Sequence, residues 1–397
     1  MTQTTFEQLG VTPELTAALA ARGIHRPFAI QSLTIADALA GRDVCGKAKT
    51  GSGKTLAFGL PLLQLASKAE PSHPTALVLV PTRELAIQVH DVLAHLAEVT
   101  EKRLAIVYGG APLEKQERVL EAGAEIVVGT PGRLIDLLDR KAVFLDALQH
   151  VVLDEADRMA DMGFLPQVEW ILRHTNRQHQ TLLFSATLDG AVKVLVDRYQ
   201  HDPVEHEVAS TSVTVEEMTH RFLTVHDLDK IKVAAAIARS AHRTLLFTRT
   251  KRMADQLAHG LRKEGIPQAA AIHGDLPQRV REQALAGFGD GSVPALVATD
   301  VAARGLDIED VEIVIHFDPP EDHKSYLHRS GRTARAGEAG LAVTLALWNE
   351  ELILKRLQKR LGIDVPIVEM FSNDPRLADL SGWDPVADPG PPPRRVK

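Results

Sequence analysis

Short apolar runs rich in β-branched residues alternate along this chain with longer stretches of helical pattern, the arrangement of βαβ units. In the first half the runs are DVCG, TALVLV, RLAIVY, EIVVG, HVVLD and TLLFSA; in the second they are HRFLTV, RTLLFT, AAAIH, PALVAT, EIVIHF and LAVTLAL. Several lack polar alternation, which predicts strands covered on both faces, as in the centre of a parallel sheet. The pattern predicts an α/β fold of two similar domains in tandem, each a mostly parallel sheet flanked by helices. The polar, Thr/Ser-rich stretch near 202–215 reads as the connection. The expected division is a domain over 1–205, a linker over 206–215, a second domain over 216–365 and, from its Pro, Asp and Gly content, an unstructured tail over 366–397.

Length agrees, because 397 residues exceed one ordinary core and suit two. No apolar run approaches the roughly 18 residues of a membrane span, and the first residues carry no secretory pattern. The single cysteine, Cys45, fits a reducing compartment and a buried core position, so a cytoplasmic protein is expected. The net charge of −7 with a pI near 6.2 excludes a broadly basic face. Any nucleic-acid surface must be a local patch.

In open α/β sheets ligands lie off the carboxyl ends of the strands, so the residues after each run carry the chemistry. DVCG is followed by KAKTGSGKT, a phosphate-binding loop in which Ala48 stands at the usual first glycine. Backbone N–H groups of Thr50, Gly51, Ser52 and Gly53 and the helix start after them form an anion cradle. Lys54 adds charge for β- and γ-phosphates, and the Thr55 hydroxyl suits Mg²⁺. HVVLD runs straight into three acids within four positions, Asp154, Glu155 and Asp157, which need a positive partner. Alone such acids read as helix caps. Beside a phosphate loop, Asp154 can hold the metal, partly through water, while Glu155 orients or deprotonates a water. Magnesium with its nucleotide is then the expected partner.

Asp154-Glu155-Ala156-Asp157 spells DEAD, and the chain resembles a DEAD-box ATP-dependent RNA helicase of superfamily 2 over roughly residues 6 to 340. The resemblance implies two RecA-like domains, ATP with Mg²⁺, and RNA as partner. GIHRPFAIQ resembles the adenine-reading element: Gln31 would bond adenine and Phe6 would stack on it, although taken by themselves a lone Gln before a helix says nothing and Phe6 reads as a core staple; Phe28 and Ala29 replace the more usual Thr and Pro. PTRELA (Pro81, Thr82, Arg83), Gly109 with Gly110, and TPGR (Thr130, Pro131, Gly132, Arg133) would line one side of an RNA track. Gly lets backbone N–H groups approach phosphate, and Thr and Arg donate to it without reading bases. Each taken singly reads equally well as turn chemistry. SAT, Ser185 to Thr187, would couple Asp157 and the ATP site to RNA. In the second half Thr248, Arg249, His273, Gly274, Gln278, Arg281, Thr299 and Asp300 are the RNA candidates, although His273 could equally be a structural loop histidine and Thr299 and Asp300 could instead order the cleft. Gly305 and Asp307 would meet the ribose.

YLHRSGRTARAG places Arg332 and Arg335 three apart, neighbours if helical, able to converge on one anion. Without the phosphate loop they would read as a basic helix face. Ala334 replaces a commoner Gly, and His328 would take part in interdomain coupling. With Lys54, Asp154 and Glu155 in the first half and the two arginines in the second, hydrolysis would require closure. RNA across both domains would favour that state, and the coupling would be reciprocal. The resemblance implies local, non-processive unwinding of short RNA duplexes or remodelling of RNA–protein complexes, through contacts to phosphate and sugar. Two alternatives stand beside it: an RNA clamp with little unwinding, and a DNA-acting translocase built on the same two domains. The tail's Arg394, Arg395 and Lys397 are too few to define a substrate.

Overall fold

The computed structural model describes residues 4–48, 51–176, 178–188, 190–208, 218–303, 311–333 and 340–388. The chain divides into two compact units, Met1–Ser210 and Thr211–Lys397. Unit 1 holds strands β1 (Val44–Lys47), β2 (Ala76–Leu79), β3 (Leu104–Val107), β4 (Ile126–Gly129), β5 (His150–Asp154), β6 (Gln180–Ser185) and β7 (Val204–Glu207). Unit 2 holds β8 (Thr219–Val225), β9 (Thr244–Thr248), β10 (Ala270–Ile272), β11 (Ala295–Thr299), β12 (Ile313–His316), β13 (Leu341–Leu347) and β14 (Ile367–Glu369). All pairings within these sheets are parallel, in the orders β3-β4-β2-β5-β6-β1-β7 and β10-β11-β9-β12-β13-β8-β14. The second order repeats the first strand for strand. Every run expected from the pattern is a strand here.

The missing alternation has a direct cause. Strand residues point in turn to opposite faces. Val78, Val128 and Val152 enter one apolar core of unit 1, while their neighbours Leu77, Leu79, Val127, Val151 and Leu153 enter another. Unit 2 divides likewise, with Leu246, Val297 and Ile315 in one core and Leu245, Leu296 and Val314 in another. Helices cover both faces, so both sets are apolar and the period of two vanishes from the sequence.

Two boundaries differ from expectation. The linker does not begin at 206: Val204–Glu207 pairs residue for residue with Val44–Lys47, and the Val208 N–H donates to Lys47 O at 3.1 Å. Nor is the tail unstructured from 366. Ile367–Glu369 pairs with β8, Leu377, Leu380 and Trp383 are buried in the unit 2 core, and Arg221 donates to Leu380 O at 2.8 Å. Residues 389–397, with Arg394, Arg395 and Lys397, lie outside the described residues. Both strands missed are short sheet edges, and VEHE shows one half-buried and one exposed position in turn, so neither has the apolar run that marks a central strand.

Cys45 is fully buried in β1, and burial, then Glu205, pushes its thiol up to about 12. Among the described residues no helix is long and apolar enough to cross a membrane.

Candidate active site

The sheet order divides the chemistry of unit 1. Phosphate-type and acidic residues follow β1 and β5, whereas the turns after the adjacent strands β3, β4 and β2 carry Gly109–Gly110, Thr130–Arg133 and Pro81–Arg83. Unit 2 repeats the second set: Thr248–Arg249, His273–Gly274 and Thr299–Asp300 end or follow β9, β10 and β11, the counterparts of β2, β3 and β4.

After β1 the loop carries Gly51 and Gly53 at φ 79° and 84°, left-handed values that glycine adopts without strain. A side chain on Gly53 would also collide with Gln31 and Phe28. Ala48 fills the first glycine position without conflict. It is buried in the core, its N–H donates to Ser185 O at 2.9 Å, and its carbonyl accepts from Lys54 Nζ at 3.2 Å. Thr50 lies outside the described residues, and Thr55 is half-buried in the first turn of the helix Lys54–Leu65.

The cation beside the acids is Lys54. Its Nζ lies 2.7 Å from Glu155 Oε1 and 4.0 Å from Asp154 Oδ1, and all three side chains are at most 5% exposed. Burial depresses the ammonium, but Glu155 and Asp154 outweigh it and hold Lys54 above its ordinary value. Burial pushes Asp154 up to about 7, with Glu155 adding to the rise and Lys54 opposing it. Arg158 Nη1 stands 3.8 Å from Glu155 Oε2, a second cation that the sequence pattern did not single out. Buried carboxylates left without such partners would cost about 3–5 kcal/mol. Glu155 itself sits at φ 53°, strained for a residue with a side chain, and such strain concentrates at functional sites. Asp154 Oδ1 accepts the Glu155 N–H at 2.9 Å.

Ser185 joins the two elements. Its hydroxyl oxygen accepts the Asp157 N–H at 3.1 Å while its carbonyl accepts from Ala48, so the acid turn and the phosphate loop share one fully buried anchor. Thr187 is half-buried nearby in sequence. Gln31 anchors the loop from the other side, accepting the Phe28 N–H and donating to Gly53 O, both at 2.8 Å. Gln31 is 2% exposed, and these two bonds leave one lone pair and one N–H of its amide unused. Phe6 departs from expectation: at 1% exposure it is part of the core and has no face open to a base.

Among the candidate RNA contacts of unit 1, Arg83 is the organiser. Its guanidinium lies against Gly109 and Gly110, so closely that a Cβ on Gly110 would strike it, and Gly110 holds φ 90°. Arg133 donates to Ala111 O at 3.1 Å, tying the loop after β3 to the turn after β4. Thr82 caps its helix by accepting the Leu85 N–H at 3.3 Å; Thr130 is half-buried, Pro131 buried and Gly132 exposed.

In unit 2, Arg249 is exposed and Gly274 lies beside Lys251, whereas Thr248, Thr299 and Arg281 are buried. Arg281 donates to Gln278 at 3.5 Å. His273 is 4% exposed and shares a 3.0 Å hydrogen bond with Asp255, the placement of a structural histidine. Asp300 is engaged by a residue outside the expected set: Arg329 donates to it through Nε and Nη2, both at 2.7 Å, and to Asp318 O at 2.9 Å. A buried ladder holds the helix His323–Ser330 that carries Arg329. His316 shares a 3.0 Å bond with Ser330, and His220 a 2.7 Å bond with the Tyr326 hydroxyl. Burial, then Arg329, drives His316 well below its ordinary value, keeping it neutral beside that cation. His328 is exposed in the last turn, and Arg332, two residues past the helix, is buried. Gly305, Asp307, Ala334 and Arg335 lie outside the described residues.

Comparison with known proteins agrees with this arrangement. Residues 28–195 match the DEAD/DEAH box helicase family and residues 225–337 the helicase conserved C-terminal domain. The DEAD-box ATP-dependent RNA helicase CshA of Bacillus licheniformis is 41% identical over 359 residues, covering 89% of this chain and 73% of that one. Its Geobacillus kaustophilus namesake is 42% identical over 343 residues, 86% and 73% of the two chains. Among solved structures, Saccharomyces cerevisiae Dbp5 bound to RNA and ADP BeF3 aligns with TM-score 0.78 at 29% identity, over 93% of this chain and 96% of that one. A DEAD box protein from Methanococcus jannaschii aligns with TM-score 0.51 at 33% identity, over 92% and 99%. With both domain models matched in order and two-fifths identity over most of the chain, the protein belongs to the DEAD-box family of ATP-dependent RNA helicases.

Proposed function

We propose that this helicase separates short RNA duplexes locally and non-processively, or remodels RNA–protein complexes, by closing its two units around ATP and RNA. The observation that carries the reading is the meeting, in one buried place, of the phosphate loop's Lys54 with Asp154 and Glu155. Lys54 is poised there to exchange Glu155 for the β- and γ-phosphates. Freed, the Glu155 carboxylate can orient the attacking water and accept its proton. Asp154 and the Thr55 hydroxyl are hard oxygen donors, too few for a protein cage and suited to Mg²⁺ held jointly with phosphates. When bound, Mg²⁺ would neutralise charge on the transferring phosphoryl group. Gln31 fixes the adenine end. As the family resemblance implies, Arg332 and Arg335 would bring charge to the γ-phosphate, Gly305 and Asp307 would meet the ribose, and His328 with Asp157, Ser185 and Thr187 would couple hydrolysis to RNA.

RNA would run along the turns after β3, β4 and β2 and continue over those after β10, β11 and β9. Neighbouring strands lie about 4.8 Å apart, so each set of three spans roughly 10 Å of backbone. That Dbp5, the structural relative above, was solved with RNA and ADP BeF3 supports the same pair of ligands. If the closed track bends one strand into a path a duplex cannot follow, closure releases the other, and phosphate release reopens the cleft. The lone, buried cysteine is compatible with work in the cytoplasm.

The test is ATP turnover without nucleic acid, with single-stranded RNA, and with DNA of the same sequence. Strong stimulation by RNA alone is expected. Stimulation by DNA alone would turn the reading towards a DNA translocase, and tight RNA binding without turnover towards a clamp. A second test addresses the track. Gly110→Ala forces a left-handed backbone on alanine and displaces Arg83, so single-stranded RNA affinity is expected to fall about tenfold. ADP binding should be untouched, and unchanged RNA affinity would remove this turn from the track.

A further inference from the structure

We infer that Phe28 is the surface on which the nucleotide base stacks, the aromatic platform of this chain being the residue that opens the helix Ala29–Leu39 and not Phe6. The inference rests on the assignment of the phosphate loop and Gln31 to ATP, and deepens it.

Three observations carry it. Phe28 is 61% exposed and its ring edge lies against Gly53, the last loop residue before Lys54, where any side chain would collide with it. Its N–H donates to Gln31 Oε1, and Gln31 donates in turn to Gly53 O, so ring, amide and loop form one hydrogen-bonded unit. An open aromatic ring beside an amide with one donor and one acceptor to spare suits a purine, which needs a stacking partner and an edge partner together.

The third observation is that Phe28 serves the fold badly. It occupies the N-cap of its helix, where Ser, Thr, Asp or Asn would accept a backbone N–H and phenylalanine has no acceptor. A threonine there would complete a capping box with Gln31, which already supplies the return bond to the residue 28 N–H. The chain thus gives up a cap and exposes a large ring at the mouth of the loop. Phe6, at 1% exposure, cannot supply the stacking face without leaving the core.

The experiment uses the full chain with Phe28→Ala, Phe28→Thr and Phe28→Trp, and calorimetry with two probes, ADP and inorganic tripolyphosphate. Replacing a base-stacking aromatic ring by alanine weakens binding roughly 5- to 150-fold. For this half-open ring a loss of about tenfold is expected for ADP in the Ala and Thr variants, with tripolyphosphate affinity unchanged. Phe28→Thr should at the same time raise the melting temperature by about 2–4 °C, because it restores the cap. A merely structural role would move stability and ADP affinity in the same direction. Phe28→Trp should keep ADP affinity, and its added fluorescence should be quenched by ADP but not by tripolyphosphate. Unchanged ADP affinity in both the Ala and Thr variants would overturn the inference, as would an equal loss for tripolyphosphate, which would make Phe28 a support of the loop. Failure of the unaltered protein to bind either probe would instead sink the site assignment on which the inference stands.

Discussion

Glu155→Gln is expected to bind ATP and RNA with near-native affinity and to lose turnover by about 10²- to 10⁴-fold, the usual worth of a positioned general base. The geometry explains why binding should survive. Glutamine keeps the oxygen that accepts from Lys54 Nζ at 2.7 Å, keeps the side-chain volume in a nearly closed site, and places no new demand on the left-handed backbone at φ 53°. What it loses is the negative charge and the ability to take a proton. Asp154, the neighbouring carboxylate proposed to meet Mg²⁺, is unchanged. ATP binding and RNA-stimulated turnover measured on the same preparation decide the point, and a variant that turned over normally would remove Glu155 from the chemistry.

Neutralising Arg332 and Arg335 together is expected to lower RNA-stimulated turnover by about 10³- to 10⁵-fold, the worth of arginines that stabilise a transferring phosphoryl group. Lysine should rescue poorly, because it replaces a planar two-pronged donor with a point charge. The loss should fall on kcat and leave ADP binding to unit 1 unchanged, since Lys54 and Gln31 are intact. Arg332 is buried just beyond a helix locked by the Arg329–Asp300 pair, so a melting curve must accompany the kinetics. Turnover unaffected by the double change would mean that unit 2 contributes no charge to the reaction.

Much of this was written in the local sequence. HVVLD and TALVLV show their burial on two faces because helices cover both sides, and KAKTGSGKT follows its strand as a phosphate cradle must. The edge strands VEHE and IVE were not legible, since a sheet's last strand is covered on one side only and its register comes from the strand it joins. Phe6 and Phe28 show the same limit. Both are aromatic, both precede Gln31 in the chain, and the packing of residues 4–48 decides that one is core and the other open. His273 and Asp300 sit just past the strands expected to present them, yet their side chains are engaged by Asp255 and Arg329, partners 18 and 29 residues away. Long-range side-chain pairing leaves no periodic trace, and the segment HRSGRTAR does not say which arginine is structural. The net charge of −7 could exclude only a broadly basic face, because charge summed over a chain cannot report a local patch.

The central claim, that RNA and ATP together draw the two units onto one another, is tested most directly by energy transfer between dyes on Glu98→Cys in unit 1 and Lys359→Cys in unit 2. Both positions are exposed, and the native Cys45 can stay, because it is fully buried and its thiol is held up to about 12. With a non-hydrolysable ATP analogue alone, or single-stranded RNA alone, the transfer efficiency should stay near that of the free protein. With both it should shift to one new value, and each ligand should tighten the other's binding by the same factor. An efficiency indifferent to the pair of ligands would contradict the account.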